Sequence, residues 1–429
     1  MTDGNIRGLR ILRAVRDQVG WDMVCLDDVI SGDHRARQVW AYVETMDLSP
    51  IYAKIRAVEG GGGRPPIDPA ILMALWLYAT LEGVGSARQL ERLCERDQAY
   101  RWICGGVGVN YHTLADFRVD AAPVLDDLLS RSMAALAAVG IVSLDCLAVD
   151  GVRVRASAGQ GSFRRPGRLA ELQAMAEQKV AALRRDLQAD PTADAKRRRA
   201  RALREAEALQ ARIAAAQRMA AEIEAERQRE AQAQRRKQPK QPAEPRASTT
   251  DPQARIMKMA DGGCRPAYNV QFKTDPSSGC VVGLDVTGKS SDRGQLGVAI
   301  DEIAARYGAK PARVLADGGY AAKDDIEAAF ERGIEVFSPV PGSGGRPVPA
   351  KPQPKEGPGV SAWRERMSLQ ASFEIFRQRL PCERPHADAR NRGLQRFLVR
   401  GIAKAKAVAL WHVTAYNFLQ QQRLWPQPA

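Results

Sequence analysis

Residues 164 to 246 constrain this chain more than any other stretch, because they can hardly be anything but helix. LREAEALQARIAAAQRMAAEIEAERQREAQAQRRKQ is low in aromatics and rich in Ala, Arg, Glu and Gln, most of them residue types that lose little rotamer freedom in a helix. Leu203, Leu209, Ile213, Met219 and Ile223 are spaced for one or two long helices. The break ADPTAD at 189 to 194 would pair them as a hairpin. From Arg164 to Arg246 there are 21 basic and 12 acidic residues, a net of +9. Most of the chain's formal charge of +14 therefore lies here, and the plainest role for such a segment is a solvated helical arm. KQPKQPAEPRAS closes it as a proline-punctuated linker.

Strand patterning lies on both sides of this arm. Before it, VSLDCLAVDGVRVRA at 142 to 156 packs aliphatic and β-branched residues together and ends in the alternation Val152, Arg153, Val154, Arg155. After it, AYNVQFKTDPSSGCVVGLDVTGKS at 267 to 290 reads as a β-hairpin turning at Asp275 to Gly279. Then follow a helix in QLGVAIDEIAARYG, a short strand in PARVLADGGY, a helix in AAKDDIEAAFERG and a strand in IEVFSPV. The order is strand, strand, strand, helix, strand, helix, strand, with the arm inserted after the first strand. This is an α/β pattern: a mixed sheet flanked by helices.

The N-terminal part is helical. GGGGRPP at 60 to 66 marks a flexible connection. Asp68 is placed as an N-cap with Pro69 at the first helical position, and the apolar spacing of ILMALWLYATL continues the helix. Gly83 and Gly85 break it, and Ser86 caps a second helix bearing Arg88, Arg92 and Arg96. Two helices around a tight turn can set the second against DNA; an ordinary helical hairpin with solvated arginines has the same pattern. Residues 111 to 140 read as further helix. The expected organisation is an N-terminal helical domain at 1–140, which is DNA-binding if its second helix meets a groove, a core made of 141–163 and 247–429, and the inserted arm at 164–246.

Composition narrows the function. At 429 residues the chain can hold two to four structural units, and 64 Lys plus Arg against 50 Asp plus Glu favour an anionic partner, most often nucleic acid. The seven cysteines form neither a CxxC nor a cluster with His at ligand spacing, which reads as reduced thiols without zinc. The most apolar stretch, 71 to 81, is too short to span a bilayer, so no membrane is expected.

Two aspartates stand out. Asp150 sits inside the first strand, where aspartate is disfavoured; a hairpin turn at Asp150-Gly151 is the plain alternative. Asp317 ends the fourth core strand before Gly318 and Gly319, at the carboxyl end where ligand sites of open α/β sheets collect. A third acid would come from Glu365, Glu374 or Glu383. Close carboxylates repel, and divalent cations between them keep all three ionised. In FRQRLPCERPHADAR, Glu383 lies four residues after Arg379 and seven before Arg390, which in isolation reads as a surface ion pair. His112 and His386 have no assignment.

AVDGVRVRA, VLADGGY and FRQRLPCERPHADARNRGLQRFLVRG resemble the DDE-type transposases of bacterial insertion sequences, which have an RNase H-like core. In one large branch the last acid lies in a signature of Tyr, two residues, Arg, three residues, Glu, six residues, Lys; here Phe376, Arg379, Glu383 and Arg390 hold that spacing, with Phe for Tyr and Arg for Lys. GRPPIDPAILMALWLYATLEGVGSARQLERL with YHTLADFR resembles the helical N-terminal domain of the same elements, and DPQARIMKMADGGCRPAYNVQF the resumption of the core after an inserted arm. The resemblance implies Asp150, Asp317 and Glu383 as catalytic, metal-binding acids, holding two magnesium ions for which manganese can substitute. It implies Arg379, Arg390, Arg88 and Arg92 as DNA contacts. Further implications are cleavage at the element's terminal inverted repeats, strand transfer into target DNA, a homo-oligomer on DNA and a place in the bacterial cytoplasm at the nucleoid. The alternatives are a transposase-derived DNA-binding protein that no longer cuts and a coiled-coil structural protein built on the arm.

Overall fold

The computed structural model describes residues 25–55, 66–189, 193–233, 244–349 and 356–424. The glycine run at 60 to 66 falls, Pro66 apart, outside the described residues, as do the centre of the break at 189 to 194 and most of the linker after the arm. The N-terminal region is helical: α1 (Arg35–Glu44), α2 (Ser49–Tyr52), α3 (Pro69–Leu81), α4 (Ala87–Arg96), α5 (Gln98–Cys104), α6 (Tyr111–Asp120) and α7 (Ala122–Ala138). The expected caps form. Asp68 accepts from the Ala70 amide at 2.8 Å, and Ser86 from the Gln89 amide at 3.4 Å. The helix expected at 111 to 140 is two helices, because Pro123 lacks the N–H that a continuing helix needs.

The chain then builds β1 (Cys146–Arg155), β2 (Phe163–Arg164), α8 (Pro166–Ala189), α9 (Ala193–Ala233), β3 (Ala247–Ser248), β4 (Arg255–Lys258), β5 (Cys264–Thr274) and β6 (Val281–Thr287). Next come α10 (Leu296–Tyr307), β7 (Arg313–Ala316), α11 (Lys323–Glu331), β8 (Glu335–Phe337), α12 (Pro358–Arg366), α13 (Gln370–Arg377), α14 (Glu383–Asn391) and α15 (Ile402–Leu424). β1 runs unbroken through Asp150 and Gly151, so no hairpin turn forms there. The sheet runs β4, β5, β1, β7, β8, with β6 also on β5. β5 pairs antiparallel with β1, β4 and β6, and β7 and β8 follow parallel to β1. This is the mixed, helix-flanked arrangement expected of an RNase H-like core.

Two helices tie the parts together. α3 and α15 are buried nearly all round, and a helix apolar on every face belongs inside a protein. α15 packs on α3, α6, α7 and β6. Trp411 on it is fully buried, donates its indole N–H to the Arg118 carbonyl at 2.9 Å and lies beside Trp76 and Phe117. Asn417 bonds both the N–H and the C=O of Val281, continuing the edge of β6 with a side-chain amide. The N-terminal helices and the sheet thus share one hydrophobic core.

The arm is built differently. β2 and β3 pair antiparallel at its base, and α8 packs along α9. Its interior is mostly alanine: Ala206, Ala216 and Ala220 with Ile213 on α9, Ala176 and Val180 with Leu169 on α8. Of the expected apolar positions, Ile213 is buried, Leu203, Met219 and Ile223 are half-buried and Leu209 is exposed. The arm also meets the sheet through the Glu226–Arg255 ion pair at 2.6 Å.

Candidate active site

The parallel pairing of β1 with β7 ends at Val149 opposite Ala316, and the next residue on each strand is Asp150 and Asp317. Two neighbouring strands therefore deliver two acids to one end of the sheet. Asp317 begins a 3-10 turn and accepts from the Gly319 amide at 2.8 Å. Asp150 accepts from the Gly151 amide at 2.9 Å. Burial raises the pKa of both. Asp150 and Asp292 push Asp317 further up, while Arg379 acts to hold Asp150 down.

Glu383 is the first residue of α14, and its side chain is 60% exposed. α13 and α14 are separate helices with a 3-10 turn at Leu380–Cys382 between them, where Pro381 ends the helical hydrogen-bond ladder. Arg379, 14% exposed, joins the acids: one guanidinium nitrogen donates to Asp150 Oδ2 at 2.9 Å, another to Glu383 Oε1 at 3.3 Å. Its guanidinium carbon lies 5.7 Å from the centre of the Phe376 ring, so the phenylalanine supports the arginine by its face. Glu374 is exposed on α13. Arg390 is exposed on α14 and has no acidic partner among the described residues. Arg88 and Arg92 are exposed on α4, with Arg88 stacked over Tyr111.

Two further residues belong to this end of the sheet. Asp292, 11% exposed, accepts from Asn269 at 2.7 Å, Gln271 at 2.9 Å and Arg153 at 3.3 Å. Gln271 in turn accepts the hydroxyl of buried Tyr320. Burial raises the Tyr320 pKa, and Asp292, Asp150 and Asp317 raise it further, so all three acids act on one side chain. Gly151 is explained here: a Cβ on it would stand 2.5 to 2.9 Å from Gln271, Asp292 and Asn269. The sequence shows Asn269, Gln271 and Lys273 alternating on β5 but does not point to Asp292; only their burial in the fold calls for a partner. His386 stacks on Phe272, with Nδ1 3.7 Å from Asp150 Oδ2; burial depresses its pKa to about 4.

The donor set suits a hard divalent cation, being carboxylate oxygen throughout, with acids that repel one another. Among the described residues, no three His, Cys, Asp or Glu side chains are gathered as ligands of one ion. The cation between Asp150 and Glu383 is Arg379.

Two protein-family models match parts of the chain. Residues 24–120 match the family model of a transposase domain (DUF772), and residues 232–418 match that of a transposase DDE domain. The second span holds Asp317 and Glu383; Asp150 lies before it, on the other side of the arm. No curated protein and no solved structure matches the chain. No helix among the described residues is long and apolar enough to cross a membrane.

Proposed function

We propose that this chain, with its transposase domain and its transposase DDE domain, is a DNA transposase that cleaves DNA at the ends of an insertion sequence and joins them to target DNA. The observation that carries the reading is the placement of Asp150 and Asp317 directly after the last β1–β7 pair, with Glu383 reached through Arg379. DDE transposases generally use divalent metal ions. Asp150, Asp317 and Glu383 would hold magnesium, which activates water and neutralises charge at a phosphodiester under attack.

The chain's own residues set the stage for that chemistry. Arg379 bonds both Asp150 and Glu383 and so orients the two acids toward one another. Gln271, Asn269 and Arg153 fix Asp292 beside the acid pair, and Tyr320 anchors Gln271. Arg390 is free to take a phosphate, and Arg88 and Arg92 on α4 offer a second DNA contact in the N-terminal region. The domain division follows: DNA-binding helices at 1–140, the core at 141–163 and 247–429, the arm at 164–246. Oligomerisation on DNA belongs to the same reading.

One observation favours the competing reading of a DNA-binding protein that does not cut: a single arginine already neutralises two of the three acids. Supercoiled plasmid with magnesium separates the two. The transposase reading expects nicking that is lost about a hundred- to a thousandfold in Asp150→Asn and Glu383→Gln, the scale of removing one preorganised group at a reacting centre, while DNA binding survives. Nicking unchanged in both variants would remove these acids from the chemistry.

A further inference from the structure

A trough leads away from the acids. It has a volume of about 1170 Å³, and Asp150 and Glu383 stand in its wall. β7 stops at Ala316 while β1 continues to Arg155, so no strand covers this edge of β1 until Arg155 meets the segment around Arg396. Along it stand Arg155 from β1, Lys258 from β4, Arg265 from β5 and Arg390 from α14.

Three of these four cations have no acidic partner. The residues Arg155, Lys258 and Arg390 are exposed and make no ion pair among the described residues, whereas Arg265 pairs with Asp261 at 2.5 Å. Unpaired cations on three separate elements, all bordering one concave surface, form an electrostatic track for a polyanion. The lining has no tryptophan, tyrosine or phenylalanine to stack a base, and its one ring, His386, is packed on Phe272. Such a surface offers charge to phosphates and no ring on which a base could stack.

We propose that this trough carries the backbone of a DNA strand away from the acids, through phosphate contacts from Arg155, Lys258 and Arg390, without sequence preference. The inference rests on the transposase reading and adds the path and the sequence-independence of the contact. A track of this kind suits DNA of arbitrary sequence, such as a target or flanking strand.

The test is DNA affinity as a function of salt, for the double variant Arg155→Glu with Lys258→Glu. The control is Lys310→Glu with Arg313→Glu, an equal charge change on exposed residues at the opposite end of β7 from Asp317. Each lost phosphate contact should lower the slope of log affinity against log salt by about 0.9. The trough variant should lose about two units of slope, equally on random duplexes and on the element's own ends, with the thermal transition of the control. A trough variant that matches the control on DNA, in a chain whose wild type binds and nicks, overturns this inference alone; a loss confined to one sequence overturns its sequence-independence. A wild-type chain without salt-dependent DNA binding overturns the transposase reading as well.

Discussion

The sheet end and the helical arm are made from opposite materials. The strands that carry the acids belong to a core of large side chains, in which Trp76, Trp363, Trp411, Tyr268 and Phe272 are fully buried. In the arm, α8 and α9 meet over alanines, and charged side chains cover the rest. The difference teaches where each kind of function can sit. Holding repelling carboxylates in fixed positions needs a rigid, desolvated frame, and only the core supplies one. The arm carries most of the positive excess on a surface whose individual ion pairs contribute little.

The comparison can be broken first in the core. Trp411→Ala removes a ring that packs α15 onto α3 and α6, on a helix that also lies against β6, and should cost about 3–5 kcal/mol, melting both regions in one transition. Two separate transitions in the variant would show that the core is not shared. Chemical denaturation followed by circular dichroism measures this.

A smaller effect of opposite sign is expected at the acids. The Asp317 pKa is raised above its ordinary 3.8 by burial and by Asp150 and Asp292. The folded chain thus holds this proton more tightly than the unfolded one. The contribution is fully present below pH 3.8 and is lost as pH rises through the folded value, so the charged form weakens the fold at neutral pH. Asp317→Asn, which keeps an acceptor for the Gly319 amide, should raise the melting temperature at pH 7 without divalent cations. The gain should shrink toward zero on acidification. No gain at pH 7 would mean that the acid is already neutralised by the protein.

The smallest effect belongs to the arm. Arg184 and Glu207 pair at 2.7 Å across α8 and α9, both well exposed. Arg184→Ala should change stability by about 0–1 kcal/mol, and a loss well above that would show that the arm depends on its charges more than on its alanine seam.

Much of this division was legible in the sequence. The helical period of the arm, the alternation in β1 and the turn chemistry around Asp275 depend on neighbours in the chain, so they placed the elements and the insertion. Asp150 and Asp317 were legible because an acid in or at the end of a strand violates local preference. Asp292 was not, since a loop aspartate violates nothing and its role arises only when β5 brings Asn269 and Gln271 to it. Nor was the engagement of Arg379 with Asp150, which spans 229 residues. The shared core was hidden for the same reason: it depends on α15 meeting α3, α6, α7 and β6, which are distant in the chain.

The central claim is that Asp150, Asp317 and Glu383 form one cation-requiring site. Manganese binding followed by electron paramagnetic resonance tests it without any need for DNA. The account predicts binding by the wild-type chain that is lost in Asp150→Asn with Asp317→Asn and weakened in Glu383→Gln. Equal binding by all three proteins would contradict it.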